Sequence, residues 1–135
     1  MTSVRDTFLH LLADNLVSPV TVHHVRQDPD TPANQRLQTN AVNVQFLNDN
    51  LHMVVSDLRV AIDVIHEDER TAIDWTKQVW TILGAALYTP IFDYSSGTPV
   101  ATGQNLSWNQ PVGFRPVFDE LYTRRGCVLT LQYHF

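Results

Sequence analysis

Residues 58–65, LRVAIDVI, constrain this chain more than any other stretch. Leu58, Val60, Ile62 and Val64 fall on one face, and Arg59, Ala61 and Asp63 on the other. A period of two over that length predicts a strand with one face buried. Such a strand is stable only inside a sheet whose apolar face is covered by a second layer. The rest of the chain must therefore supply more strands and something to pack on them.

Candidates for both are present. Val4, Phe8, Leu11, Leu12 and Leu16 recur at helical spacing, and Ser3 followed by Asp6 reads as a cap, which predicts a helix over about 3–16. Ser18-Pro19 ends it, because the residue before proline is pushed out of helical geometry. Pro19 to Val25 reads as a strand, and Asn40 to Leu47 as another, with Val42, Val44 and Phe46 on one face. Asn48-Asp49-Asn50 has turn composition and Leu51 to Val55 is strand-like again. Ser56-Asp57 is compatible with either a turn or a bulge.

A second helix is expected over about 68–88, opened by the acidic run Glu67, Asp68 and Glu69, where the helix dipole favours negative charge. On this helix Asp74, Lys77, Gln78, Thr81 and Ala85 make one narrow polar face, while Ala72, Ile73, Trp75, Val79, Trp80, Ile82, Leu83, Ala86 and Leu87 surround it. One sheet covers an apolar stripe little wider than about 100°. A second partner is needed, either the first helix or a neighbouring subunit. Thr89 to Tyr94 and Gln104 to Gln110 read as strands separated by a loop over 95–103, and residues 111–116 break regular structure. Gly126 to Phe135 alternates as a final strand, with Cys127 on its more apolar side. Two helices among runs of strands predict an α+β fold, with a mainly antiparallel sheet and both helices on one face. The 135 residues are the length of one domain over 1–135, large enough to bury a core without a disulfide or metal.

Chemistry-bearing motifs are scarce. The charged share is 17% and the net charge −5, which disfavours a protein that works by gripping phosphates. The single cysteine, Cys127, allows no internal disulfide and suits a reducing compartment. No signal peptide and no membrane-length apolar run is expected. His23 and His24 are adjacent on a predicted strand and point to opposite faces, and His10, His52, His66 and His134 have no tight ligand spacing, so no metal is expected. No P-loop, GxGxxG, GxSxG or SxxK pattern occurs, so neither a cofactor nor a catalytic nucleophile is indicated. The acids at 67–69 are explained by capping, while Asp63 is the least explained acid. Arg124-Arg125, with Arg115, forms a basic cluster that a hairpin turn leading into Gly126 would account for.

These residues resemble, in type and order, the tail-terminator (tail-completion) proteins of long-tailed bacteriophages. The resemblance rests on LLADNLVSPV ending the first helix, on NAVNVQF and DLRVAIDVIHED, on the apolar helix ERTAIDWTKQVWTILGAAL, and on the ending GCVLTLQYHF. It implies a virion protein, made in the host bacterial cytoplasm, that forms a hexameric ring at the head-proximal end of the tail. Such a ring stops growth of the tail tube and meets the head–tail connector proteins. DNA passes through it without specific binding. The family has no catalytic residues, so none is implied here.

The residues themselves suggest where copies would touch. Trp75 and Val79 lie on the surplus apolar face of the second helix. Trp108, Phe114, Arg115, Phe118 and Tyr122 lie in or beside irregular segments, serving either a satellite core or a subunit contact. The long polar loop over 26–39, with Arg26, Asp28, Asp30, Gln35 and Arg36, suits an arm reaching a neighbour. Rival readings are another head-completion or connector protein, a small hydrolase or binding domain using Asp63, His66 and Glu67, and a nucleic-acid module, which the charge disfavours.

Overall fold

The computed structural model describes residues 2–17, 19–25, 37–50, 55–85, 87–109, 113–117 and 121–134. Their elements run α1 (Thr2–Asn15), β1 (Val22–His24), β2 (Ala41–Asn50), β3 (Ser56–His66), α2 (Glu69–Ala85), β4 (Tyr88–Asp93), β5 (Val100–Trp108), β6 (Arg115–Val117) and β7 (Thr123–Tyr133). The fold is α+β. One sheet has the order β1-β2-β3-β7-β5-β4, with β6 paired to β7 off that path. Among the described residues only β1 and β2 run parallel, and every other pairing is antiparallel.

The register explains the core. Val44, Ile62 and Cys127 lie in one row across β2, β3 and β7, and Phe46, Val60 and Leu129 in the next. These rows make an inner face whose residues are buried, with Cys127 packed against them. Both helices lie on that face. Val4, Phe8 and Leu12 of α1, and Trp75, Val79 and Leu83 of α2, join the same apolar cluster. Phe8 sits edge-on to Phe46 and to Trp108, at centroid distances of 6.3 and 6.4 Å. That geometry suits the opposed charges of ring edge and ring face.

The two long strands and both helices fall where periodicity places them, and the boundaries differ for local reasons. The first helix begins at Thr2, so Ser3 lies inside it rather than capping it. Asp68 does cap α2, accepting hydrogen bonds from the Thr71 amide at 3.0 Å and hydroxyl at 2.6 Å. These bonds hold its carboxyl below the usual range. The second helix stops at Ala85, short of the expected end at 88. Pro90 disfavours helix at Thr89, and the Leu87 carbonyl already accepts from the Trp108 amide at 2.9 Å.

Asn48 to Asn50 is not a turn. Strand β2 continues through it, opposite Arg59 to Asp57, after a bulge between Phe46 and Asn48. Ser56 and Asp57 are strand, neither turn nor bulge, paired with Tyr133 and Gln132. The loop expected over 95–103 is shorter, because β5 begins at Val100 opposite Asp93. The residues expected to break structure up to Pro116 include most of β6. Arg124 and Arg125 are not a hairpin turn either. They lie within β7, held between Ile65 and Val64 on one side and Val117 and Pro116 on the other.

Candidate functional site

The inner face is filled by helices, so the outer face of the sheet is where the fold leaves room for function. One row crosses it: His23, Asn43, Asp63, Gly126 and Arg115 stand side by side on β1, β2, β3, β7 and β6. Each member does something different.

Asn43 is 1% exposed although it belongs to the outer face. Its amide oxygen accepts from the Gln38 amide at 2.7 Å, and its Nδ2 donates to the Gln38 carbonyl at 2.9 Å and the Asp63 carbonyl at 3.2 Å. The side chain thus clamps the strand-entry segment onto β3. The neighbouring Asn40 takes the left-handed conformation, φ 59°, that asparagine tolerates well. Its Oδ1 accepts from the Glu67 amide at 3.1 Å.

Asp63 accepts from Arg124 Nε at 3.1 Å, with both side chains mostly shielded from water. Glycine at 126 makes this possible. A Cβ there would lie 2.5 Å from Asp63 Oδ1, so any larger residue displaces the carboxylate. Beyond Gly126 the surface dips into an open groove of about 420 Å³, lined by Ala61, Asp63, Gly113, Arg115, Val117 and Val128 among others. Val117 and Val128 are 38% and 53% exposed. Arg115 is exposed, and its side chain makes no hydrogen bond or ion pair to another described residue. Cys127 contributes no reactive thiol, because burial, helped by the Asp63 charge, pushes its pKa up to about 12.

The segment 113–117 serves two surfaces at once. Phe114 packs toward the core and, with Thr76, Lys77, Trp80, Thr81 and Gly113, lines a second cleft of about 360 Å³ beside α2. Arg115 and Val117 line the outer groove instead.

The residues chosen from sequence divide sharply. Trp75, Val79 and Trp108 are buried in the chain's own core and present no surface to a second copy. Trp108 is spoken for twice, by aromatic packing and by Nε1, which donates to the Leu83 carbonyl at 2.8 Å. That carbonyl lies in the last turn of α2, where helical partners run out. The exposed tryptophan of α2 is Trp80, at 43%. Arg115 lies on the groove, Phe114 in the other cleft, and Tyr122 is half-buried just before β7. Phe118 and the loop residues Arg26, Asp28, Asp30, Gln35 and Arg36 lie outside the described residues.

The hydrolase trio is not assembled. Asp63 faces outward and is engaged by Arg124. His66, three residues on, takes the opposite face, where its ring packs edge-on to Trp75 at 4.8 Å and its Nδ1 accepts from the Asp68 amide. Glu67 is exposed beyond the strand end. Among the described residues no three His, Cys, Asp or Glu side chains gather as a metal site would require, and no helix is long and apolar enough to cross a membrane.

The groove residues Gly126, Val117 and Val128 were missed from sequence. Their only signal was Asp63, an acid in an otherwise apolar-alternating strand, which needs a cation across the sheet. Compared with known protein families and with curated proteins, the sequence matches none of either.

Proposed function

We propose that this protein is a structural virion subunit that assembles into a closed, hexameric ring at the head-proximal end of a phage tail. There it ends growth of the tail tube and joins the tube to the head–tail connector proteins. The observation that carries the reading is the outer face of the sheet. Among the described residues no helix covers it, and exposed Val117 and Val128 flank an exposed arginine at a groove, so copies have an apolar surface to cover and a charge to orient them. The order helix, strands, helix, strands agrees with the resemblance. A net charge of −5 suits a lumen that passes DNA without holding it. The reading requires no catalytic group, metal or cofactor.

Native mass spectrometry tests it directly. A single closed multiple of the 15.4 kDa chain is expected. Added to polymerising tail-tube protein, the ring should cap one tube end and shorten the tubes. A chain that stays monomeric throughout the micromolar range overturns the proposal.

A further inference from the structure

We propose that the β4–β5 hairpin of one copy seats in the outer groove of the next copy. The contact presupposes that copies assemble, and specifies how.

The hairpin is built as an arm. Leu106 and Ser107 of β5 pair with both β4 and β7, whereas Val100, Ala101 and Asn105 pair with β4 alone. The distal half therefore overhangs the end of β7. Every residue from Ser95 to Asn105 is exposed, including Val100 at 55%. A two-stranded ribbon with water on its sides is marginal by itself. Its β4 strand is nevertheless fixed. Phe92 donates its amide to Thr7 Oγ1 at 3.0 Å, and Tyr94 stacks on His10 at 4.1 Å. An arm held rigid by α1 loses little freedom when it docks.

Arm and groove are complementary in charge. Between Lys77 and Arg115 the sequence has one charged residue, Asp93. It sits at the root of the hairpin turn, its Oδ1 accepting from the Ser95 amide at 2.9 Å. The groove offers the exposed Arg115, since Arg124 and Asp63 already satisfy each other. An arm with one anion and no cation fits a groove whose one cation, Arg115, pairs with no acid among the described residues. Val100 then meets Val117 and Val128, covering apolar surface on both copies.

The two surfaces also lie apart in the direction a ring requires. The groove sits at Gly126 and the arm departs beside Tyr133, so the residues of β7 between them separate the sites by roughly 20 Å. Different surfaces on one molecule make a heterologous contact, which passes from copy to copy and closes when the rotation per copy divides a full turn.

The test uses Val100→Glu, which spoils the arm, and Val128→Glu, which spoils the groove. Both positions are exposed, and circular dichroism checks that each variant keeps the wild-type melting temperature. Native mass spectrometry should find wild type as a ring and each variant alone as a monomer, with half-assembly moved at least tenfold higher in concentration. Mixed in equal amounts, the variants still share one intact arm and one intact groove, so the mixture should stop at pairs. Should either substitution perturb folding, the swap Asp93→Arg with Arg115→Glu replaces it: each alone weakens the ring at least tenfold, and together they restore it to within threefold. Rings that persist in both single variants, or a mixture that stays monomeric, overturn the docking while leaving ring assembly intact. A monomeric wild type overturns both.

Discussion

The two faces of the sheet are built on opposite terms. On the inner face, Val44, Ile62, Val60 and Leu129 are packed on one another and under two helices, with almost no contact with water. On the outer face the same strands carry Asn43, Asp63 and Gly126, joined by Arg115 of β6, and only Asn43 of these is buried. The inner face is held by apolar burial, at roughly 25 cal/mol per Å². The outer face is held by a few directed polar contacts around a groove. The difference teaches where stability and function are separated: changes inside should unfold the chain, and changes outside should leave a folded chain that assembles differently.

The largest expected effect falls on the inside. Trp108→Ala removes a buried indole, its edge-on contact with Phe8 and the hydrogen bond to the Leu83 carbonyl. Truncations of this kind cost about 3–5 kcal/mol. Chemical denaturation should show that loss in the monomer itself. A variant that keeps wild-type stability and loses only assembly would return Trp108 to the interface and break the contrast between the faces.

Next comes Asn43→Ala, the outer-face residue that behaves as an inner one. The substitution removes the Asn43 bonds to the Gln38 amide, the Gln38 carbonyl and the Asp63 carbonyl, all of them part-buried. Each such hydrogen bond contributes about 0.5–1.5 kcal/mol. Hydrogen exchange should speed up at Gln38 before it does in β7, marking local release of the 37–40 segment. Uniform acceleration across the sheet would mean that Asn43 supports the whole fold rather than one segment.

How much of this was legible in the sequence follows from the same contrast. Alternation at 58–64 and helical spacing at 4–16 place inner-face residues correctly, because burial against a shared layer writes a period into the chain. The outer face leaves no such trace. Arg124 and Arg125 resemble a turn locally, and become strand only because Ile65 and Val64, some sixty residues away, supply the pairing. Val100 to Gly103 looks like loop for the same reason, since its partner strand β4 decides its state. Trp75 and Trp108 resemble interface aromatics because nothing local reveals that α2 and β5 converge on one another. Arg115 could be chosen from composition, whereas the groove that gives it a setting requires the register of three strands.

Gly126→Ala is expected to have a smaller effect and a more informative one. The new Cβ would sit 2.5 Å from Asp63 Oδ1 and force the carboxylate off Arg124. Crowding of this sort costs about 1–3 kcal/mol, with the low end expected where a side chain can swing away. A double-mutant cycle with Asp63→Ala isolates the cause. If the clash is with the carboxylate, removing it makes the Gly126→Ala penalty nearly vanish. A penalty that survives would place the strain in the backbone of β7.

The smallest effect should come from Arg124→Gln, and its smallness matters. Arg124 and Asp63 are each partly shielded, with side-chain exposures of 26% and 17%, and meet through a single Nε contact. Solvent screening and the entropy of holding a long side chain leave such a pair worth about 0.5–1 kcal/mol. The pair is thus a weak stabiliser in a place where the fold could have used an apolar contact instead. What it does supply is direction. It occupies the one acid on the groove wall among the described residues, leaving Arg115 as the exposed charge that a neighbour meets. Arg124→Gln should therefore lower the unfolding midpoint only slightly, yet free Asp63 to compete for Arg115 and weaken assembly more than stability. Parallel measurement of melting temperature and native mass separates the two. Equal losses in both would show that the pair belongs to the scaffold, and that the outer face is no freer of structural duty than the inner.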